Sequence, residues 1–142
     1  MAKKILWLDN DPPFINDPVN ALREQGYEVT VTTTVMEAEA LIRDRPYDLL
    51  ILDVMIPTKS EEEEAVYEPD KTSRGYKTGL VFYRRMKDKL AEAQVQTLVL
   101  GIKMDKALFD ELVEEGVKPE RIATKFALRD VQIFTNKIKT II

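Results

Sequence analysis

Residues 46–57 read Pro-Tyr-Asp-Leu-Leu-Ile-Leu-Asp-Val-Met-Ile-Pro, and the apolar run inside this stretch stops abruptly at Asp53. A second apolar run, Ile-Leu-Trp-Leu at residues 5–8, stops at Asp-Asn-Asp at residues 9–11. If both runs are neighbouring buried strands of one parallel sheet, their carboxylates meet at the same edge. Two ionised carboxylates about 4 Å apart repel each other by roughly 4 kcal/mol at an effective dielectric near 20, so the pair requires a cation or a proton. The sequence therefore predicts a metal and phosphoryl-transfer site.

Composition excludes several classes of function. The 142 residues include neither cysteine nor histidine, which rules out a thiolate nucleophile, a Ser-His-Asp or Cys-His triad and a His-ligated zinc. The net charge of −4 disfavours broad nucleic-acid binding, because that requires a basic face. No apolar stretch approaches the roughly 20 residues of a membrane helix, and Asp9 interrupts the first run too early for a secretory signal. We expect one cytoplasmic domain over residues 1–142.

Strand-like apolar runs alternate with segments of helical period along the whole chain, which is typical of βα units. Five such units indicate an α/β fold, a doubly wound (βα)5, flavodoxin-like three-layer sandwich with a parallel sheet in the order 2-1-3-4-5. The predicted strands cover residues 4–8, 27–33, 48–52, 96–100 and 121–124. The predicted helices run from Asp17-Pro18 to Gly26, from a capping box at residues 34–37 to just before Pro46, and over residues 79–90, 105–115 and 128–141.

One connection interrupts this alternation. Residues 58–78, called the insertion below, are much longer than the few residues usual between a strand and a helix, and predict a functional or mobile loop. The four glutamates at residues 61–64 are most simply a solvated acidic loop. Tyr67 and Tyr76 fit a recognition surface and a packed anchor for the loop equally well.

The predicted strand order places strands one and three side by side, at the point where ligands bind outside the carboxyl ends of the strands. Asp9, Asn10 and Asp53 occupy that point. A hard cation such as Mg²⁺ takes oxygen ligands, usually one or two carboxylates completed by waters and a phosphate. The two carboxylates, the Asn10 amide oxygen, directly or through a water, and a nearby backbone carbonyl would hold Mg²⁺.

Three segments of the chain resemble the signatures of response-regulator receiver domains of the CheY-like type. They are residues 5–12, residues 46–57 and residues 123–125, and the similarity extends over nearly the whole chain. It implies a protein of two-component phosphorelay signalling in which Asp53 accepts a phosphoryl group from a partner histidine kinase or histidine phosphotransfer protein. Such a protein is not an enzyme in the usual sense, since it catalyses only its own phosphorylation and dephosphorylation. No direct contact with nucleic acid or membrane is expected.

The same resemblance assigns the remaining site residues. Asp9 and Asn10 match the acidic pair that binds Mg²⁺ together with Asp53, and Met55 matches the residue whose backbone carbonyl is a further metal ligand. Lys125 matches the lysine that faces the phosphoryl group. An ammonium suits that role because it offsets charge on the phosphoryl oxygens as the acyl phosphate forms.

The chain also departs from the receiver pattern, which makes it an atypical member. Gly101 stands where receivers carry a serine or threonine that bonds the phosphoryl group. Ile122 replaces the aromatic switch residue, Phe126 replaces the proline after the lysine, and Asn10 replaces one acid. The usual coupled rearrangement of threonine and tyrosine therefore cannot operate in the usual way.

Two alternative functions remain open from the sequence. Gly101, Ile122 and Asn10 are also consistent with a pseudo-receiver that binds partner proteins without phosphorylation. The segment 5–11 also fits a phosphatase of the haloacid-dehalogenase type, with Asp9 as nucleophile and Asp11 as acid/base. That type requires a further acidic pair after a later strand, which residues 98–103 do not offer.

Overall fold

Five strands form one parallel sheet at the centre of the protein, whose computed structural model describes residues 2–142. The strands are β1 (Lys4–Leu8), β2 (Glu28–Thr32), β3 (Leu49–Asp53), β4 (Gln96–Gly101) and β5 (Ile122–Thr124). All four pairings are parallel and the order is β2-β1-β3-β4-β5. The predicted doubly wound, flavodoxin-like α/β fold is therefore confirmed.

Helices cover both faces of this sheet. They are α1 (Pro12–Glu24), α2 (Val35–Asp44), α3 (Glu61–Val66), α4 (Pro69–Thr72), α5 (Thr78–Glu92), α6 (Lys106–Glu114) and α7 (Val131–Ile141). Two short 3-10 segments cover Pro119–Arg121 and Lys125–Arg129. Buried residues of α1 and α7 share one core, and those of α2, α5 and α6 share the other. No helix within residues 2–142 has both the length and the apolar character needed to cross a bilayer.

Side chains of the strands alternate between the two cores, as the pleat requires. On β1, Ile5 and Trp7 belong to the core under α1 and α7, while Leu6 and Leu8 belong to the opposite core. The Trp7 ring packs at 5.5 Å between centroids against Phe134 of α7. All five residues of β3 are buried, because this central strand has helices over both faces. That burial explains why its sequence is a continuous apolar run.

The predicted start of the first helix at Asp17-Pro18 is wrong. Helix α1 begins at Pro12, and the Pro12-Pro13 pair occupies its first positions, where the missing N–H donors have no intrahelical partner to lose. Pro18 lies inside the helix and is buried. The predicted end of this helix at Gly26 is confirmed, since the helix ends at Glu24 and Gly26 follows it with φ +94°.

The start of the last helix also differs from its predicted position at residue 128. Leu128 precedes α7 and lies in a 3-10 segment, although it is buried in the core beside that helix. Three apolar residues of the helices lie at the margins of the cores and are only half-buried: Leu41, Tyr83 and Ile141.

The insertion is partly helical, because it contains α3 and α4. Ser60 Oγ accepts a hydrogen bond from Glu63 N at 3.1 Å and caps α3. The Glu63 carboxylate is buried and accepts hydrogen bonds from Lys59 N at 2.8 Å and from Met36 N at 3.4 Å. The expectation of four solvated glutamates is therefore wrong for Glu63, which joins α3 to the start of α2.

Tyr67 anchors the insertion to the body of the protein. Its side chain is fully buried and its hydroxyl donates to the buried carboxylate of Glu39 on α2. That carboxylate also accepts from Arg85 at 3.1 and 3.2 Å and from Arg43 at 3.0 Å. Burial would raise the pKa of Glu39, but the hydrogen bonds from Arg85 and Tyr67 outweigh it and hold the pKa below its usual value. Of the two interpretations of Tyr67, the structure favours the packed anchor.

Candidate functional site

Three charged side chains meet at the carboxyl edge of the sheet, and we call them the acid–lysine cluster: Asp9, Asp53 and Lys125. Asp9 follows β1, Asp53 ends β3 and Lys125 follows β5. Lys125 Nζ lies 2.9 Å from Asp9 Oδ2 and 3.0 Å from Asp53 Oδ2. The side chain of Lys125 is 6% exposed, that of Asp9 0% and that of Asp53 1%. One ammonium therefore lies between two buried carboxylates.

Local backbone geometry fixes Asp53. Its Oδ1 accepts a hydrogen bond from Met55 N at 3.0 Å, and its Oδ2 accepts one from Lys125 Nζ. Gly79, in the first turn of α5, donates its N–H to the Val54 carbonyl at 2.8 Å. A Cβ at Gly79 would lie 2.6 Å from both the Asp53 carbonyl oxygen and Val54 Cα. Glycine thus allows α5 to begin directly against the carboxyl end of β3.

In the turn after β1, Asp9 is buried, whereas the two residues that follow it are exposed. Asp9 Oδ1 accepts a hydrogen bond from Asp11 N at 2.8 Å, and Asp9 N donates to the Thr32 carbonyl at 3.0 Å. Asn10 and Asp11 are exposed. Asp9 and Asp11, the pair that the phosphatase alternative requires, thus differ in their surroundings, because Asp9 is buried and Asp11 is exposed.

Burial and the negative charge of Asp9 raise the pKa of Asp53 from 3.8 to about 6, against the opposing effects of Lys125 and the Met55 N–H. Burial would lower the pKa of Lys125, but the contacts with Asp9 and Asp53 outweigh it and leave the pKa raised. Lys125 is therefore charged at neutral pH. With both carboxylates ionised, the acid–lysine cluster keeps one uncompensated negative charge, which a metal ion can neutralise.

The donor atoms fit a hard divalent cation. Asp9 Oδ2 is buried and, although Lys125 Nζ lies 2.9 Å away, receives no hydrogen bond of acceptable geometry. This oxygen therefore keeps a lone pair for a metal. The other oxygens predicted to bind the metal belong to the Asp53 carboxylate, the exposed Asn10 amide and the backbone carbonyl of the half-buried Met55. Residues 2–142 contain no cluster of three or more His, Cys, Asp or Glu side chains suited to a metal, so amide, carbonyl and water ligands would complete the shell.

Several solved structures of response regulators share this architecture. A CheY-like receiver domain from Methanospirillum hungatei superposes with a TM-score of 0.74 at 16% identity, covering 99% of this chain and 93% of that one. A response regulator from Thermotoga maritima gives 0.72 at 19% identity, with 99% and 98% covered. One from Burkholderia pseudomallei, solved with a phosphorylated aspartic acid, a calcium ion and citrate, gives 0.64 at 16% identity, with 97% and 72% covered. No protein-family model matches the sequence.

The chain has the receiver-domain fold. The resemblance inferred from three short segments is thus confirmed for the architecture of the whole chain. Asp9, Asp53 and Lys125 lie together at the edge where the resemblance placed them, whereas Asn10 lies beside them with its side chain exposed. Their roles in phosphoryl transfer remain predictions.

The departures from the receiver pattern have structural counterparts. A Cβ at Gly101 would lie 3.0 Å from the Lys103 carbonyl oxygen and 3.3 Å from Met104 Cε. A serine or threonine side chain at this position would therefore require a small movement of the chain after β4. Ile122 is buried in the core under α2, α5 and α6, and Phe126 is 69% exposed.

Two residues near the acid–lysine cluster were missed by the sequence analysis. The Phe14 ring centroid lies 5.6 Å from Lys125 Nζ, close enough for a cation–π contact. Phe14 belongs to the first turn of α1, so the wrong helix start concealed it. Arg74 of the insertion lines a cavity together with Asn10 and Met55, and no sequence signal marks this arginine.

Proposed function

We propose that this protein is a phosphorelay receiver in which Asp53 accepts a phosphoryl group. The observation that carries the proposal is the acid–lysine cluster, with a buried carboxylate, a second carboxylate and an ammonium at the carboxyl edge of a receiver fold. Such a grouping, with a raised pKa at Asp53, is typical of functional sites. The solved response regulator from Burkholderia pseudomallei, with its phosphorylated aspartic acid and calcium ion, supports the assignment by analogy.

In the proposed reaction, a carboxylate oxygen of Asp53 attacks the phosphorus of a phosphohistidine on a partner kinase or phosphotransfer protein. The P–N bond breaks, the new P–O bond forms an acyl phosphate, and the leaving imidazole takes up a proton. Lys125 already lies 3.0 Å from Asp53 and stays near the added negative charge. A Mg²⁺ ion held by Asp9, Asn10, Asp53 and the Met55 carbonyl would supply further neutralisation of the phosphoryl oxygens.

Intact-mass spectrometry with a small acyl phosphate as donor tests the proposal. With Mg²⁺ present, we expect one added phosphoryl group on the wild-type chain and none on Asp53→Asn. Asp110→Asn is the matched control, because Asp110 is an exposed carboxylate on α6 and should not affect the adduct. Removal of divalent ions by a chelator should suppress the adduct. An adduct that persists on Asp53→Asn, or none on the wild type, contradicts the proposal.

A pseudo-receiver that binds its partner without phosphorylation is the second candidate. The observation that favours it is the burial of Asp53, whose side chain is 1% exposed and whose two oxygens both accept hydrogen bonds. A side chain held in this way is less accessible to a phosphoryl donor. Partner capture from cells distinguishes the two functions. Capture by Asp53→Asn equal to that by the wild type favours the pseudo-receiver, and loss of capture excludes it.

A further inference from the structure

A cavity of about 320 Å³ lies beside the acid–lysine cluster, at the carboxyl edge of the sheet. It is lined from four parts of the chain: Asn10 after β1, Met55 and Pro57 after β3, Ile102 after β4, and Arg74 and Tyr76 from the insertion. Two of these residues connect it to the cluster, since Asn10 follows Asp9 directly and Met55 N donates to Asp53 Oδ1. The cavity is therefore joined to the acid–lysine cluster through Asn10 and Met55, which line it, while Asp53 itself does not.

Arg74 is the one cationic residue among those lining the cavity. Its guanidinium takes part in no ion pair among the residues that the structure describes, whereas Lys77, Arg84 and Arg85 nearby in the chain are each paired with a glutamate. Arg74 is also exposed. Its charge is therefore available to a ligand in the cavity.

The backbone holds Arg74 in place through an unusual bend. Ser73, Arg74 and Gly75 have φ values of +52°, +57° and +97°, a left-handed run that costs energy at the two non-glycine positions. Arg74 N donates to the Pro69 carbonyl at 2.9 Å, which fixes the bend to α4. The Gly75 carbonyl accepts from Ile56 N at 3.2 Å, which fixes it to the loop that follows Asp53.

The rest of the site leaves a phosphoryl group short of donors. A phosphoryl group carries a charge of about −1.5 to −2 and three acceptor oxygens. The Lys125 ammonium is already shared between two carboxylates, and Gly101 offers neither a hydroxyl nor room for one without movement of the Lys103 carbonyl. A guanidinium is well suited to fill the gap, because its planar pair of N–H donors matches two phosphoryl oxygens.

We infer that Arg74 is a ligand of the phosphoryl group on Asp53, supplied by the insertion in place of the hydroxyl that Gly101 lacks. This inference rests on the proposed function and adds a specific role for the insertion. The cavity receives the phosphoryl oxygens, and the Arg74 guanidinium of the insertion binds them there. The insertion is thereby coupled to the phosphorylation state of Asp53.

Titration of the full chain with beryllofluoride in the presence of Mg²⁺ tests the inference, because beryllofluoride mimics an acyl phosphate on a carboxylate. Bound fluoride is followed by ¹⁹F NMR. We expect Arg74→Gly and Arg74→Gln to raise the half-saturating concentration about tenfold, as for loss of a charge-assisted hydrogen bond, and Arg74→Lys to have an intermediate effect. Lys71→Gln is the matched control, since Lys71 is an exposed cation of the insertion that does not line the cavity.

Arg74→Gly separates binding from folding, because glycine adopts a φ of +57° without strain. Its urea-unfolding midpoint should equal or exceed that of the wild type while beryllofluoride affinity falls. Affinities of Arg74→Gly and Arg74→Gln within twofold of the wild type overturn the inference and leave the proposed function standing. Absence of beryllofluoride binding by the wild type overturns both.

Discussion

Lys125 Nζ lies 3.0 Å from Asp53 Oδ2, although the two residues are 72 positions apart and follow or end strands that are not adjacent in the sheet. The same ammonium lies 2.9 Å from Asp9 Oδ2. The contact therefore joins the outer strand β5 to the two central strands β1 and β3. With both carboxylates ionised, the acid–lysine cluster has two negative charges against one positive charge.

Asp53→Asn should stabilise the protein at neutral pH. The folded-state pKa of Asp53 is raised from 3.8 to about 6, so the folded state binds this proton more tightly than the unfolded state does. The resulting stability is fully present below pH 3.8 and is lost as the pH rises through about 6. Since each pKa unit corresponds to about 1.4 kcal/mol, the substitution should raise the free energy of unfolding at pH 7.5 by about 2 to 3 kcal/mol.

Urea unfolding of the wild type and Asp53→Asn between pH 4.5 and 7.5 measures this effect. The difference in free energy of unfolding should shrink steadily as the pH falls. Asp110→Asn, an exposed substitution, controls for general charge effects. A difference between wild type and Asp53→Asn that is independent of pH, or a less stable Asp53→Asn at pH 7.5, would refute the electrostatic account of the cluster.

Lys125→Met should destabilise the protein strongly at pH 7.5. Removal of the ammonium leaves the buried carboxylates of Asp9 and Asp53 facing each other, and an uncompensated buried charge costs about 3 to 5 kcal/mol. The double substitution Lys125→Met with Asp53→Asn should recover much of that loss, because only one carboxylate then remains. Addition of Mg²⁺ should stabilise Lys125→Met more than the wild type, since the ion replaces the missing positive charge.

Denaturant unfolding of the four proteins of this double-mutant cycle gives the coupling between Lys125 and Asp53. Lys106→Met serves as the control, because Lys106 is 88% exposed and its ion pair with Asp110 lies in solvent. It should change stability little. Additive effects of the two substitutions in the cluster would mean that Lys125 and Asp53 do not interact in solution.

The sequence predicted the sheet because each strand carries its own signal. Continuous apolar runs ending in Asp9 and Asp53 identified the two central strands and the edge at which their carboxylates meet. Helix α2 was predicted from Thr34 and Glu37, and Thr34 Oγ1 indeed accepts from Glu37 N at 3.2 Å. These features were predictable because local residue types and hydrophobic period determine them.

Other features were missed because local signals competed or were lacking. Helix α1 was expected to begin at Asp17-Pro18, but the Pro12-Pro13 pair carries a signal of the same kind, since proline fits the first turn of a helix. A signal for α3 was present, since Ser60 and Glu63 have the spacing of a capping box, but the run of glutamates suggested a solvated loop. The place of Arg74 arises from three successive left-handed residues, which its sequence does not predict.

Gly79→Ala should destabilise the protein, contrary to the usual preference for alanine in helices. A Cβ at this position would lie 2.6 Å from the backbone of Asp53 and Val54, so α5 or the end of β3 must move. Overpacking of this kind costs about 1 to 3 kcal/mol, and we expect about 2 kcal/mol in urea unfolding. Because the strained strand end carries Asp53, formation of the acyl-phosphate adduct should also slow.

The matched control for this substitution is Ala91→Gly, at an exposed position of the same helix. There the change from alanine to glycine should cost up to about 1 kcal/mol through helix propensity. Glycine should therefore be the more stable residue at position 79 and the less stable one at position 91. The same sign at both positions would show that the backbone contact at Gly79 imposes no constraint.

Tyr67→Phe should loosen the insertion without unfolding the protein. The Tyr67 hydroxyl donates to the buried carboxylate of Glu39, which keeps Arg85 and Arg43 as partners after the substitution. Loss of one hydrogen bond to a buried charged group should cost about 1 to 2 kcal/mol. Amide hydrogen exchange should accelerate in α3 and α4 more than in the sheet, because the ring still fills its site but the bond to α2 is gone.

Tyr76→Phe is the control: its hydroxyl donates to Asp105 at the start of α6, so its effect on exchange should appear there. Equal exchange in the insertion of Tyr67→Phe and the wild type would mean that packing, rather than the Glu39 network, holds this segment against the body of the protein.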